Sequence, residues 1–137
     1  MPTYPRLLDT VLDTTDVRGL AEFYRQLLGL QYRVGDEPPD GDAEDVADWL
    51  VLTEADQRRV LAFQQVDELP RSTWPSSEVP MQLHLDFTVV DRAELSLHRE
   101  RALSLGATQL LDRSNDPEEA LYVFADPAGH PFCIFVG

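Results

Sequence analysis

The sequence predicts an α+β fold in which two tandem βαβββ modules form a cupped mixed sheet around one cleft. The first observation behind this prediction is an internal repeat: residues 8–16 and residues 83–91 are both alternating strand patterns that end at an aspartate. The second observation is that one helical pattern and three short strand patterns follow each of these segments in the same order. Two copies of one structural unit therefore account for the chain.

Each predicted helix begins directly after the aspartate that ends the first strand. Asp16 and Asp91 are residues typical of N-caps, and Glu94, three residues after Asp91, predicts a capping box. Apolar residues then recur at helical spacing until Gly29 in the first half and Gly106 in the second. Glycine is typical of the residue that ends a helix, so we expect both helices to stop there.

Three short strands are predicted after each helix. They lie near 30–34, 48–53 and 60–66 in the first half, and near 107–112, 120–125 and 131–136 in the second. The last two strands of the second half are joined by an Asp-Pro-Ala-Gly turn at Asp126–Gly129.

The segment Asp36–Asp48 contains seven acidic residues and no basic one. We interpret it as a solvated, mobile loop, with a lid over the cleft as the alternative.

The chain length of 137 residues is typical of one domain that folds without disulfides or a structural metal. A stretch that contains Pro70, Pro75 and Pro80 separates the two repeats and is interpreted as a linker. We therefore predict a single domain over residues 1–137, made of module 1 (5–66), the linker (67–80) and module 2 (81–137).

Composition excludes several function classes. The single cysteine excludes an internal disulfide framework, and the absence of lysine excludes Schiff-base chemistry with pyridoxal phosphate. The net charge of −14 disfavours nucleic acid and anionic membrane surfaces as partners, and favours cationic ligands over anionic ones. No G-x-G-x-x-G or Walker loop is present. Without a signal-peptide pattern or a long apolar run, we expect a cytoplasmic location.

Several motifs, taken together, resemble those of the vicinal oxygen chelate superfamily. This superfamily includes glyoxalase I, extradiol dioxygenases, fosfomycin-resistance enzymes and bleomycin-binding proteins, and the chain is most similar to its glyoxalase-like domain proteins. The motifs are Phe23-Tyr24 followed by Leu28-Gly29-Leu30, Thr73-Trp74-Pro75 in the linker, His84-Leu85-Asp86, and the closing run from Asp126 to Cys133. The resemblance implies the fold predicted above, but one scaffold of this kind hosts unrelated chemistries.

The resemblance also implies four positions that hold a divalent metal in the metal-dependent members. In this sequence they fall at Asp9, Gln64, His84 and Cys133, and Cys133 stands where those members usually carry a glutamate. Aspartate, histidine and thiolate suit zinc, whereas glutamine is a weak ligand and a hard cation gains nothing from a thiolate. We therefore expect no cofactor, with a divalent metal at these four positions as the alternative.

Cys133 has two further interpretations. It stands between Phe132 and Ile134 on a strand, where a free cysteine usually packs as a small apolar residue. The alternative is a nucleophilic role, in which His84 activates the thiol. Burial in a strand usually raises the pKa of a thiol, and this would oppose a nucleophilic role.

We predict a small-molecule-binding glyoxalase-like protein without a catalytic metal, which sequesters a metabolite or an antibiotic. The predicted ligand-binding residues are Asp9, Phe63, Gln64, Trp74, His84, Asp86 and Cys133. One alternative is a metal-dependent lyase, isomerase or dioxygenase, and another is a non-catalytic protein-interaction domain. Because the edge strands of an open sheet usually need cover, we also expect a homodimer.

Overall fold

The computed structural model describes residues 3–137, and its elements follow the predicted order. Module 1 contains β1 (Thr10–Thr14), α1 (Val17–Leu28), β2 (Gln31–Tyr32), β3 (Trp49–Thr53) and β4 (Arg59–Gln65). Module 2 contains β5 (Leu85–Val89), α2 (Arg92–Leu105), β6 (Thr108–Arg113), β7 (Leu121–Ala125) and β8 (Pro131–Val136). The predicted α+β class with two βαβββ repeats is confirmed. Neither helix of the described part of the chain is long and apolar enough to cross a membrane.

The chain divides into two compact units, of which the first ends at Glu68 and the second is Leu69–Gly137. The first unit contains a four-stranded sheet in the order β1-β4-β3-β2, with β1 parallel to β4 and the other pairs antiparallel. The second unit contains a sheet in the equivalent order β5-β8-β7-β6, again with one parallel pair, β5 and β8. Each sheet is therefore mixed, as predicted.

Both helices end as the sequence predicts. The Asp16 side chain accepts a hydrogen bond from the Gly19 backbone N–H, and Gly29 takes up the left-handed conformation that ends α1. In α2 the Glu94 N–H donates to Asp91 Oδ1 at 2.8 Å. Glu94 Oε2 accepts from the Val90 N–H at 3.1 Å, so the capping box closes one residue before the N-cap.

One face of each sheet is covered by the helix of its own unit. In module 1 the ring of Tyr24 on α1 stacks on that of Phe63 on β4, with centroids 6.0 Å apart. In module 2 Phe132 on β8 contacts both Phe87 and Phe124 on this covered side. We call the opposite side of each sheet its helix-free face. It carries Val11, Asp13, Trp49, Ala62 and Gln64 in module 1, and Asp86, Thr88, Val123, Cys133 and Phe135 in module 2.

The acidic segment Asp36–Asp48 contains no helix or strand, as predicted, but it is attached to α1. Arg18 Nε lies 2.7 Å from Asp45 Oδ2, and Arg18 Nη1 donates to the Asp36 carbonyl oxygen at 2.7 Å. Asp36 Oδ2 in turn accepts from the Val51 N–H of β3 at 2.9 Å. One arginine thus fixes a segment that the sequence alone indicated to be without packing partners.

The Asp-Pro-Ala-Gly turn is held by its own aspartate. Asp126 is 1% exposed, and its Oδ1 accepts from the N–H groups of Ala128 at 2.9 Å and His130 at 3.0 Å. Gly129 has a φ of +100°, and a Cβ there would lie 3.0 Å from Cγ of Arg71. This turn fixes where β8 begins, and thereby which face Cys133 occupies.

We predict that Asp126→Ala lowers the free energy of unfolding by about 2 kcal/mol, because it leaves two backbone N–H groups without their acceptor. Asp56→Ala is the matched control, since Asp56 Oδ1 also accepts a backbone N–H, from Arg58, in an exposed turn. The control should lose less than about 1 kcal/mol, because water replaces the lost acceptor. Urea unfolding measures both changes, and equal losses would contradict this account of the turn.

Candidate functional site

Three side chains that can bind a ligand lie together in module 2. His84 directly precedes β5, Asp86 lies on β5, and Cys133 lies opposite Asp86 on β8 in the parallel register. His84 Nε2 is 3.3 Å from Asp86 Oδ1. One ligating atom from each of the three residues lies within 4.8 Å of the others. We call these residues the His84 group.

The alternation of β5 places this group on the helix-free face. Leu85, Phe87 and Val89 pair with residues of β8 on the covered side, and Asp86 and Thr88 point the other way. The polar residues of β5 thus lie on the face away from the helix. A charged carboxylate would be costly on the covered side, where the aromatic rings pack.

The Cys133 thiol holds its proton at neutral pH. The pKa of this thiol is raised to about 11, chiefly by burial. The charge of the Asp86 carboxylate, the hydrogen bond that it accepts and the charge of Glu119 supply the rest of the shift. Because the reactive form of a cysteine is the thiolate, this environment opposes a nucleophilic role.

In module 1 the predicted site residue Asp9 is joined to an arginine. Arg59 Nη2 lies 2.7 Å and Nε 2.9 Å from Asp9 Oδ2. The Asp9 side chain is 7% exposed and that of Arg59 is 26% exposed. Sequence reasoning missed Arg59, and the only available signal was an arginine at the start of an otherwise apolar strand.

Gln64 is not the counterpart of Cys133. The first parallel pair is Thr10 with Leu61 in module 1 and Leu85 with Phe132 in module 2, so the residue equivalent to Cys133 is Ala62. Gln64 lies two residues further along β4, opposite Asp13 and Trp49, where it is exposed. The predicted equivalence of Gln64 and Cys133 is therefore wrong by two residues.

The two aromatic residues of the predicted site differ in position. Phe63 is 0% exposed and stacks on Tyr24 under α1, so its prediction as a ligand-lining residue is corrected to a core position. Trp74 is partly buried in the segment closed by the hydrogen bond from the Thr73 N–H to the Val79 carbonyl oxygen. Its role in ligand binding stays a prediction.

The residues present do not fit a divalent metal held by the four family positions. In module 1 the charge of Asp9 is already neutralised by the Arg59 guanidinium. Ala62, the residue equivalent to Cys133, has no side-chain donor atom for a metal. In module 2 the atoms of the His84 group are close enough together to contact a single ion, and an ion bound there would displace the thiol proton, so the misfit lies in module 1.

Solved structures with the same fold are similar to the chain at low sequence identity. A glyoxalase-related enzyme from Fulvimarina pelagi has a TM-score of 0.68 and 17% identity, over 98% of this chain and 89% of that one. The fosfomycin resistance protein FosX from Listeria monocytogenes has a TM-score of 0.68 and 16% identity, over 98% and 95%. A glyoxalase/bleomycin resistance protein/dioxygenase family enzyme from Burkholderia phytofirmans has a TM-score of 0.67 and 16% identity, over 94% and 96%. At these identities the likeness shows the fold alone.

No curated protein matches the chain. The family comparison is direct, because the model of the glyoxalase-like domain matches residues 9–135, from the first predicted site residue to the last strand. Together with the repeated βαβββ units, this match shows that the chain belongs to the glyoxalase-like domain family.

Proposed function

We propose that the protein binds a small organic molecule without a catalytic metal, and that its role is to sequester that molecule. The observation that carries the proposal is the state of the donors at the family's metal positions. Asp9 is paired with Arg59, and Ala62 has no donor atom. Sequestration requires affinity alone, so it needs no activated group.

The His84 group offers a ligand several hydrogen-bonding atoms at one place. An imidazole, a carboxylate and a thiol lie beside one another, and the side chains of His84 and Asp86 are about half exposed. On the same face, Val123 lies opposite Cys133 and Phe135 lies opposite Thr88. Apolar side chains with a few convergent polar groups are typical of small-molecule sites.

A metal-dependent enzyme is the second candidate, and one observation favours it. The nitrogen, oxygen and sulfur atoms of the His84 group are close enough together to ligate one ion, and this set suits zinc. Such a site would use Asp86, a residue outside the four family positions. Its ion would displace the Cys133 proton. The pairing of Asp9 with Arg59 and the lack of a donor at Ala62 favour the first candidate.

A screen of small organic molecules by thermal shift, followed by calorimetry of the hits, tests the proposal. A ligand that binds only the folded state raises the melting temperature. We expect His84→Ala and Asp86→Asn each to weaken the binding of a hit by about tenfold or more, since each removes a hydrogen-bonding or charged group. Asp42→Asn, an exposed carboxylate of the acidic segment, is the control and should bind as the wild type does. A screen without hits, or hits that bind all variants equally, would contradict the proposal.

We predict that alkylation of Cys133 by iodoacetamide rises with pH around an inflection near 11 in the native protein. The folded state favours the protonated thiol, so this contribution to stability is present below the unfolded pKa of about 9 and is lost as pH rises through about 11. Asp86→Asn should move the inflection to lower pH, because it removes a negative charge beside the sulfur. Mass spectrometry gives the rates, since Cys133 is the only cysteine. An inflection below pH 9 would indicate an activated thiolate instead.

A further inference from the structure

The Asp9–Arg59 ion pair depends on a β-bulge between β3 and β4. Leu52 pairs with Leu61, but the next pair is Thr53 with Arg59, so Val60 is an extra residue in β4. Leu61 lies on the covered face of the sheet, and without the bulge Arg59 would lie there too. The extra residue moves Arg59 to the helix-free face, on the side of Asp9. Bulges often aim a side chain at a functional site.

The guanidinium of Arg59 keeps unused hydrogen-bonding capacity. Nε donates to Asp9 Oδ2 at 2.9 Å, and Nη2 lies 2.7 Å from the same oxygen. Among the described residues, no acceptor for Nη1 is found. The ion pair therefore fixes the position of the arginine without saturating it, and one side of its planar fork stays available to an oxygen acceptor.

A second polar group at the same place also lacks a partner. Thr53, the register partner of Arg59, is 1% exposed, and its Oγ1 is a buried side-chain atom that makes no hydrogen bond in the described structure. Buried polar atoms usually find a partner in the protein, in ordered water or in a ligand. Register neighbours on one face lie about 5 Å apart at Cβ. The unpartnered hydroxyl and the guanidinium therefore belong to register neighbours at one end of the sheet.

We propose that Arg59 anchors the carboxylate of an organic ligand on the helix-free face of module 1, with Nη1 as the donating nitrogen. This inference rests on the proposed function, and it names the chemical class of the group that module 1 recognises. The fixed positive charge beside Asp9 belongs to a side chain. A guanidinium matches the planar geometry of a carboxylate, which an ammonium does not.

The net charge of −14 does not prevent this recognition. Charges that are separated by more than about 10 Å are largely screened at 0.1 M salt, whereas a direct contact is not. The general preference for cationic ligands that composition predicts therefore applies at long range. At contact distance, the nearest charged group determines which ligand charge is favoured, and on this face of module 1 that group is Arg59.

A matched pair of probes tests the proposal: phenylacetate, which carries the carboxylate, and phenylacetamide, its neutral counterpart. Arg59→Met alone would leave the nearly buried Asp9 without its cation and could unfold the protein. The comparison therefore uses Asp9→Asn and the double variant Asp9→Asn/Arg59→Met, in which no carboxylate is left unpaired. Arg58→Met is the control, since Arg58 is the exposed neighbour that pairs with Glu54.

Dissociation constants are measured by NMR titration, and the Nε–Hε resonance of Arg59 is followed directly. We expect phenylacetate to bind about threefold or more tightly to Asp9→Asn than to the wild type, because Arg59 loses a competing anion. Adding Arg59→Met should weaken binding at least about tenfold, the usual effect of losing one charge-assisted hydrogen bond. Arg58→Met should bind phenylacetate as the wild type does, and phenylacetamide should change little across the series.

Two kinds of result would overturn the proposal, and they differ in what else they affect. If screened molecules bind but phenylacetate binds no better than phenylacetamide, or an Arg59 resonance does not shift, the ion pair is structural and the proposed function stands. If neither probe nor any screened molecule binds the folded wild-type protein, the proposed function fails together with this inference.

Discussion

The parallel pairing of the first and last strand in each module decides which side chains share the helix-free face. In module 2 this pairing places Asp86 beside Cys133, and His84, two residues before Asp86, lies on the same face. In module 1 the equivalent pairing places Val11 beside Ala62, neither of which carries a donor. Two copies of one unit therefore present different chemistry, although their backbones follow the same plan.

This asymmetry has electrostatic consequences that favour binding over metal catalysis. In module 2 burial and the neighbouring carboxylates raise the pKa of Cys133 to about 11, so in the absence of a metal its thiol donates a hydrogen bond to Asp86. In module 1 Arg59 supplies the positive charge beside Asp9. Asp9 and Asp86 are thus each paired with a side chain of their own module. A divalent ion would have to displace these pairings.

Most of the fold was predictable because it depends on local patterns. Aspartate and glycine caps set the helix ends, and alternation set the faces of β5. The site was less predictable, since its register depends on features without a local signal. The bulge at Val60 and the two-residue offset between Gln64 and Ala62 depend on cross-strand pairing. The attachment of the acidic segment by Arg18 is likewise a contact between residues distant in sequence, which periodicity cannot reveal.

Metal content is the measurement that tests the central claim most directly. Protein purified without a histidine tag or chelator would be incubated with zinc, nickel, iron and manganese in turn, freed of excess ion and analysed by elemental mass spectrometry. The account predicts far less than one ion per chain in every case, with no difference between the wild type and His84→Ala. Near-stoichiometric metal that is lost in His84→Ala would contradict it, and would identify the His84 group as a metal site.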